Sequence, residues 1–222
     1  MKKFLLILVF FLVFGLVSGC GGGPGADDAP VDDSGVGETA DEPAEEQAGD
    51  AIVFPDPMGI PENVEAMDNI LAIITELGER LNAEDGYYGD LHDIIVANGN
   101  RQGPEHMELW EILYAMRIET GATYLYTFID GGGASNKIIV DSLDPEDMDP
   151  FGFEYEKEPW TIQAFRRGEP TVAQDAWMDY YGEGLQKSGF APVFNSEGEV
   201  SFLLGIDYPV PELEPFEELW SY

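Results

Sequence analysis

The stretch GFAPVFNSEGEVSFLLGIDY, from Gly189 to Tyr208, decides the fold. Asn195-Ser196-Glu197-Gly198 is a turn sequence between two runs with strand composition, which predicts a β-hairpin. Strand side chains alternate between faces with period two. In the second strand Val200, Phe202, Leu204 and Ile206 fall on one side, and Ser201, Leu203, Gly205 and Asp207 on the other. The first face is wholly apolar and demands a covering layer. The second mixes small, polar and charged groups, so it borders either water or something bound.

Upstream, Pro61 opens a helical pattern in which Val64, Met67, Leu71, Ile74, Leu77 and Leu81 recur at three- and four-residue steps until Gly86 breaks it. HDIIVA, from His92 to Ala97, is short and apolar, and Asn98-Gly99-Asn100 reads as a turn. Pro104 suits the first turn of a second helix carrying Trp110, Leu113, Met116 and Arg117 to a C-cap at Gly121. Ala122 to Asp130, ATYLYTFID, has the aromatic and β-branched composition of a strand. Gly131-Gly132-Gly133 turns the chain, and Lys137 to Asp141 returns it. An acidic loop follows, then a short helix from Trp160 to Arg167 ending at Gly168, and a short strand at Thr171-Val172. The order is helix, helix, hairpin, loop and helix, hairpin. That predicts an α+β fold with an antiparallel sheet rather than repeated βαβ units.

The chain begins MKKFLLILVFFLVFGLVSGC. Lys2 and Lys3 precede an apolar run of about 14 residues, too short for a spanning helix and suited to a secretory leader. Val17-Ser18-Gly19-Cys20 resembles a bacterial lipobox, so residues 1–19 read as a lipoprotein signal peptide and Cys20, the sole cysteine, as the lipidated residue. An intrachain disulfide is excluded. Residues 20–52 read as an acidic disordered tether. Positions 21–50 hold ten Asp or Glu and no Lys, Arg or aromatic residue, too little apolar surface to offset chain entropy. Residues 53–222 then form a single domain. The expected location is the extracytoplasmic face of the cell membrane, with the lipid anchor as the membrane contact. A net charge of −34 excludes nucleic acid as a partner, since phosphate binding needs clustered Lys and Arg. It favours a cationic or zwitterionic ligand.

The motifs RIETGATYLYTF, IIVDSLDPED, PFGFEYE, AFRRGEPTV and DYYGEGLQKSGFAPVFNSEGEVSFLLGIDY occur in that order between residues 104 and 208. Together they resemble the extracellular Cache sensor domain of bacterial chemoreceptors and histidine kinases, a PAS-like fold. The resemblance implies a long N-terminal helix packed on a central antiparallel sheet, whose other face closes over a small-ligand pocket. The chain stops at Tyr222 after PELEPFEELWSY, which implies a stand-alone sensor without its own transmitter. On this reading Val200, Phe202, Leu204 and Ile206 lie under the helix, while Ser201, Leu203, Gly205 and Asp207 face the pocket. Gly205 leaves room beside Asp207. The Asp207 carboxylate either meets a ligand ammonium or accepts backbone amides that lock the strand end. Tyr124, Tyr126 and Phe128 share a strand face; Phe128 reads as core, and Tyr126 serves equally as core or as a cation wall. Asp141 either faces the cavity or begins the acidic loop. Trp177, Asp179, Tyr180 and Tyr181 form the outer wall, with Trp177 and Tyr181 the candidate contacts. Arg166 and Arg167 read as exposed partners for nearby acids.

Catalytic patterns are absent. There is no Gly-x-Ser-x-Gly elbow and no P-loop, and a strand rather than a helix follows the triple glycine. His92 and His106 have no zinc spacing and read as solvent-exposed or as helix-start packing. Asp141, Asp144, Glu146, Asp147 and Asp149 lack the EF-hand layout. No enzyme, metal or cofactor is expected. Two functions remain. One is a lipid-anchored sensor or capture protein for a small, amine-bearing organic ligand, working with a membrane signalling or transport partner. The other is an interaction lipoprotein whose filled Cache fold docks a membrane partner without ligand, through its acidic surface and its tail from Pro209.

Overall fold

The computed structural model describes residues 59–101, 103–179, 184–216 and the backbone of 220–221. The leader, Cys20, the tether, Tyr181 and most of the tail beyond Phe216 lie outside the described residues. Three helices come first: α1 (Pro61–Asn82), α2 (Tyr87–Asn98) and α3 (Pro104–Thr120). Strands β1 (Tyr124–Asp130) and β2 (Ser135–Asp141) follow, then β3 (Glu154–Glu156), α4 (Pro159–Arg167), β4 (Thr171–Val172), β5 (Ala176–Asp179), β6 (Gly184–Phe194), β7 (Val200–Pro209) and β8 (Trp220–Ser221). The fold is α+β, with the long N-terminal helix packed on a curled, largely antiparallel sheet ordered β3-β2-β1-β7-β6-β5-β8. The quoted hairpin is therefore its centre. β1 pairs β7 antiparallel, so β7 is hydrogen-bonded on both edges.

Helix α1 covers one face. It buries Ala66, Ile70, Ile74, Leu77 and Leu81 against Phe202, Leu204 and Ile206 of β7 and Ala191 and Val193 of β6. Ile74, Leu77 and Leu81 are buried as expected, but Val64 and Leu71 point outward, at 36% and 38% exposure. Both three- and four-residue steps fit the apolar spacing. The contact with β6 selects the line through Ile70 and Ile74, because Gly189 brings its backbone beneath them and a Cβ there would lie 2.8 Å from Ile70 Cγ2.

The sequence missed helix α2. Its short apolar run gave too few turns for a clear period, yet Leu91, His92 and Ile95 make a buried face. His92 is not solvent-exposed. It is fully buried, stacked on Phe202 at 4.4 Å between ring centroids, with Nε2 3.0 Å from Thr127 Oγ1. His106 does pack at a helix start, in the first turn of α3, and is buried. Burial lowers both imidazole pKa values; that of His92 falls to about 3.

The alternation of β7 breaks once. Val193 pairs with Phe202 and Phe194 with Val200, leaving Ser201 as an extra residue in a bulge. Val200 therefore packs with the second cluster on the far face, not under the helices. Ser201 turns to α2, its hydroxyl donating to Asp93 Oδ1 at 2.6 Å with Gly89 O 3.0 Å away. Both assignments are the reverse of those expected from strict alternation. From Phe202 onward the expected faces hold.

Candidate ligand-binding site

Antiparallel pairing sets three rows of side chains on the sheet face opposite α1. Tyr124, Asp207 and Ser188 are cross-strand partners; so are Tyr126, Gly205 and Phe190, and Phe128, Leu203 and Pro192. Asp141 stands opposite Tyr126 on the other side of β1, and Trp177 of β5 opposite Gln186 of β6. The structure thus brings Tyr124, Tyr126, Asp141, Trp177 and Asp207 onto one face. Tyr181 lies outside the described residues.

Part of this face is a second core. Helix α4 lays Ala164, with Trp160 and Phe165, over Tyr126, Phe128, Ile138, Phe190 and Leu203. Phe128 belongs to that core, as its sequence reading had it. Arg166 and Arg167, at the end of α4, are exposed. The chemistry concentrates beside the α4 layer, around Asp207.

Asp207 is 7% exposed. Its Oδ1 accepts from Ser188 Oγ at 2.6 Å and from Tyr126 Oη at 3.2 Å. Ser188 Oγ in turn accepts the indole N–H of Trp177 at 3.2 Å. Beside this chain, Tyr124 Oη donates to Asp179 Oδ2 at 2.6 Å, and the Tyr124 and Trp177 rings stack at 6.4 Å. The carboxyl of Asp207 is pushed up to about 7, first by burial; the Ser188 and Tyr126 hydrogen bonds oppose the rise, and the carboxylates of Glu158 and Asp141 add to it. Among the described residues no Lys or Arg forms an ion pair with it.

The space that Gly205 opens is taken by Tyr126: a Cβ on Gly205 would stand 2.2 Å from Tyr126 Cε2. The phenol of Tyr126 is raised well above its ordinary value, by burial and then by Asp207. Asp141 is buried, and its two oxygens accept the backbone N–H groups of Leu143 and Asp149 at 3.1 Å each. It therefore organises the start of the acidic loop, while burial raises its pKa.

Three residues escaped the sequence reading. Ser188 carries no signal in sequence beyond its place in a strand. Tyr155, on the edge strand β3, contacts Phe128 at 5.7 Å and donates to Asp149 Oδ2 at 2.7 Å. Glu158 precedes α4, its pKa raised by desolvation first and then by Asp175 and Glu156. The face is thus aromatic and acidic. It can hold an organic cation through carboxylate pairing and ring contacts.

No protein-family model matches the chain, and no curated protein matches it. Among solved structures it is similar to the ligand-binding domain of the Campylobacter jejuni chemoreceptor Tlp3 in complex with 4-methylisoleucine, at 14% identity and a TM-score of 0.35, over 73% of this chain and 66% of that one. It is similar to the sensory domain of the same receptor at 14% identity and a TM-score of 0.35, over 72% and 68%. The extracellular domain of mmHK1S-Z2, described as a histidine kinase, matches at 16% identity and a TM-score of 0.32, over 64% of this chain and 61% of that one. The chain thus spans about two thirds of the length of these domains. Among the described residues no helix is long and apolar enough to cross a membrane.

Proposed function

We propose that this chain is a lipid-anchored, extracytoplasmic binding protein of the Cache type, which senses or captures a small amine-bearing organic molecule. The observation that carries the reading is Asp207: a buried carboxylate on an aromatic face, with no cationic partner among the described residues. A buried charge is costly unless paired, and a ligand ammonium supplies the pair. Tyr124, Tyr126 and Trp177 wall the ammonium, with Asp141 at the margin. Cys20 carries the acyl anchor, and a membrane signalling or transport partner receives the signal or the cargo.

The test is thermal unfolding of the chain, freed of co-purified ligand, against amines, amino acids, carboxylates and purines. An amine at 100 times its dissociation constant stabilises the fold by about 2.7 kcal/mol. That shift should appear for wild type and vanish in Asp207→Asn. A shift that survives unchanged in that variant refutes the assignment of Asp207.

One observation favours the second reading. Tyr126 fills the space over Gly205 and bonds Asp207, while Tyr124 and Trp177 stack on each other. Side chains of the protein itself thus occupy part of the face. An interaction lipoprotein with a filled fold, docking a membrane partner without ligand, would show no shift with any compound class.

A further inference from the structure

We infer that Ser188 is a positioning residue that fixes the orientation of Asp207 and leaves Oδ2 as the oxygen offered to a ligand cation. This rests on reading Asp207 as the ligand's counter-charge, and it identifies how that charge is prepared.

The argument begins with hydrogen-bond valence. An indole nitrogen is a donor only. Trp177 Nε1 lies 3.2 Å from Ser188 Oγ, so the serine oxygen is the acceptor there. The one proton of the serine is then free to point to Asp207 Oδ1, 2.6 Å away. Trp177 on β5 thus sets the direction of the Ser188 hydroxyl on β6, and the hydroxyl sets the carboxylate on β7. Tyr126 Oη, at 3.2 Å, donates to the same Oδ1 from β1. Two donors converge on one oxygen, and both side chains are themselves buried. The other oxygen receives neither.

A donor committed to a carboxylate favours its ionised form. Ser188 therefore does two things at once: it fixes rotation about the Asp207 side chain, and it offsets the neutralising effect of burial. Among the described residues, the titratable groups around Asp207 are Tyr124 and Tyr126 from β1, Asp141 from β2, Tyr155 from β3, Glu158 ahead of α4 and, through Tyr124, Asp179 from β5. All are acidic or phenolic. The ionised carboxylates have no proton to donate, the hydroxyls of Tyr124 and Tyr155 donate to Asp179 and Asp149, and that of Tyr126 is already engaged at Asp207.

The experiment is a carbon-13 NMR titration of the Asp207 side-chain carboxyl in the full chain, for wild type, Ser188→Ala and Ser188→Cys. It needs no ligand. A charge-assisted hydrogen bond of ordinary strength corresponds to about one to two pH units. Ser188→Ala should raise the midpoint by that amount, and Ser188→Cys, a near-isosteric weak donor, by less. An unchanged midpoint in both variants overturns the proposal; if Ser188→Ala does not fold, Ser188→Cys alone decides it. A second arm uses ethylammonium chloride as the probe. If Ser188 acts through Asp207, Ser188→Ala should weaken binding at both pH 6 and pH 9, and about tenfold more at pH 6. Equal weakening at both values overturns the proposal, since a merely structural loss has no such pH dependence. No ethylammonium binding by wild type, together with the expected midpoint shifts, sinks the ligand reading while leaving the positioning role standing.

Discussion

Replacing Asp207 by asparagine should stabilise the unliganded protein above neutral pH. Burial raises this carboxyl from 3.8 to about 7. A group whose folded pKa is raised favours the native state below its unfolded pKa. That contribution is lost as pH rises through the folded value. Between pH 3.8 and about 7 the folded protein retains a proton that the unfolded chain releases, so stability falls across this window. The gap is about three units, and at about 1.4 kcal/mol per unit the cost above pH 8 is about 4 kcal/mol. Asn keeps the shape and an oxygen to accept from Ser188, but it carries no charge to desolvate. The difference between variant and wild type should therefore be within about 1 kcal/mol at pH 4 and grow to several kcal/mol at pH 8 to 9. The assay is guanidinium unfolding followed by tryptophan fluorescence across this range. A variant that is less stable than wild type at pH 8, or a difference that does not change with pH, refutes the reasoning. The first result would mean that Asp207 serves the fold, as a lock on the strand end.

Two more outcomes follow from the same geometry. Gly205→Ala drives a methyl group into the Tyr126 ring, whose Cε2 would lie 2.2 Å from the new Cβ. It should cost about 1–3 kcal/mol in chemical unfolding, and an unaltered midpoint would show that the ring has room to leave. His92, fully buried with its pKa lowered to about 3, favours the native state above its unfolded value near 6.5, and that stability is lost as pH falls from there. His92→Phe keeps a ring against Phe202 and should flatten the fall in stability between pH 6 and 4 by up to about 1.4 kcal/mol per unit; an identical slope in the variant would count against burial of this imidazole.

The hairpin was legible because turn chemistry and period-two alternation both act locally. The same period set Tyr124 with Tyr126 on one face of β1 and Asp207 with Gly205 on one face of β7; the strand pairing makes these the same face. What failed was non-local. The bulge at Ser201 depends on how β7 meets β6 and α2, and no residue in SFLLGIDY announces it. Ile74, Leu77 and Leu81 are buried as their steps predict, but Val64 and Leu71 are not; the sheet took Ile70 instead, where Gly189 lets the backbones approach. Ser188 was invisible because its importance comes from two partners, eleven residues before it and nineteen after it in the chain. Asp141 was left between cavity and loop; it stands opposite Tyr126, and its two oxygens accept backbone N–H groups of the loop.

The centre of the sheet is a partition one residue thick. Ile206 packs with the α1 side while its neighbour Asp207 faces the aromatic side, and Gly189 and Ser188 stand opposite them in β6 with the same division. A single peptide unit in each strand therefore separates the carboxylate from the helix contacts. Ile206 Cγ2 and the Ile70 and Ile74 methyl groups all lie within 3.4 Å of the position a Gly189 Cβ would take. There is no soft layer between the two sides to absorb a displacement. A pull on Asp207 along β7 passes through one peptide unit to Ile206, which packs in the same layer as Ile70 and Ile74 of α1, so the two faces behave as opposite skins of one drumhead.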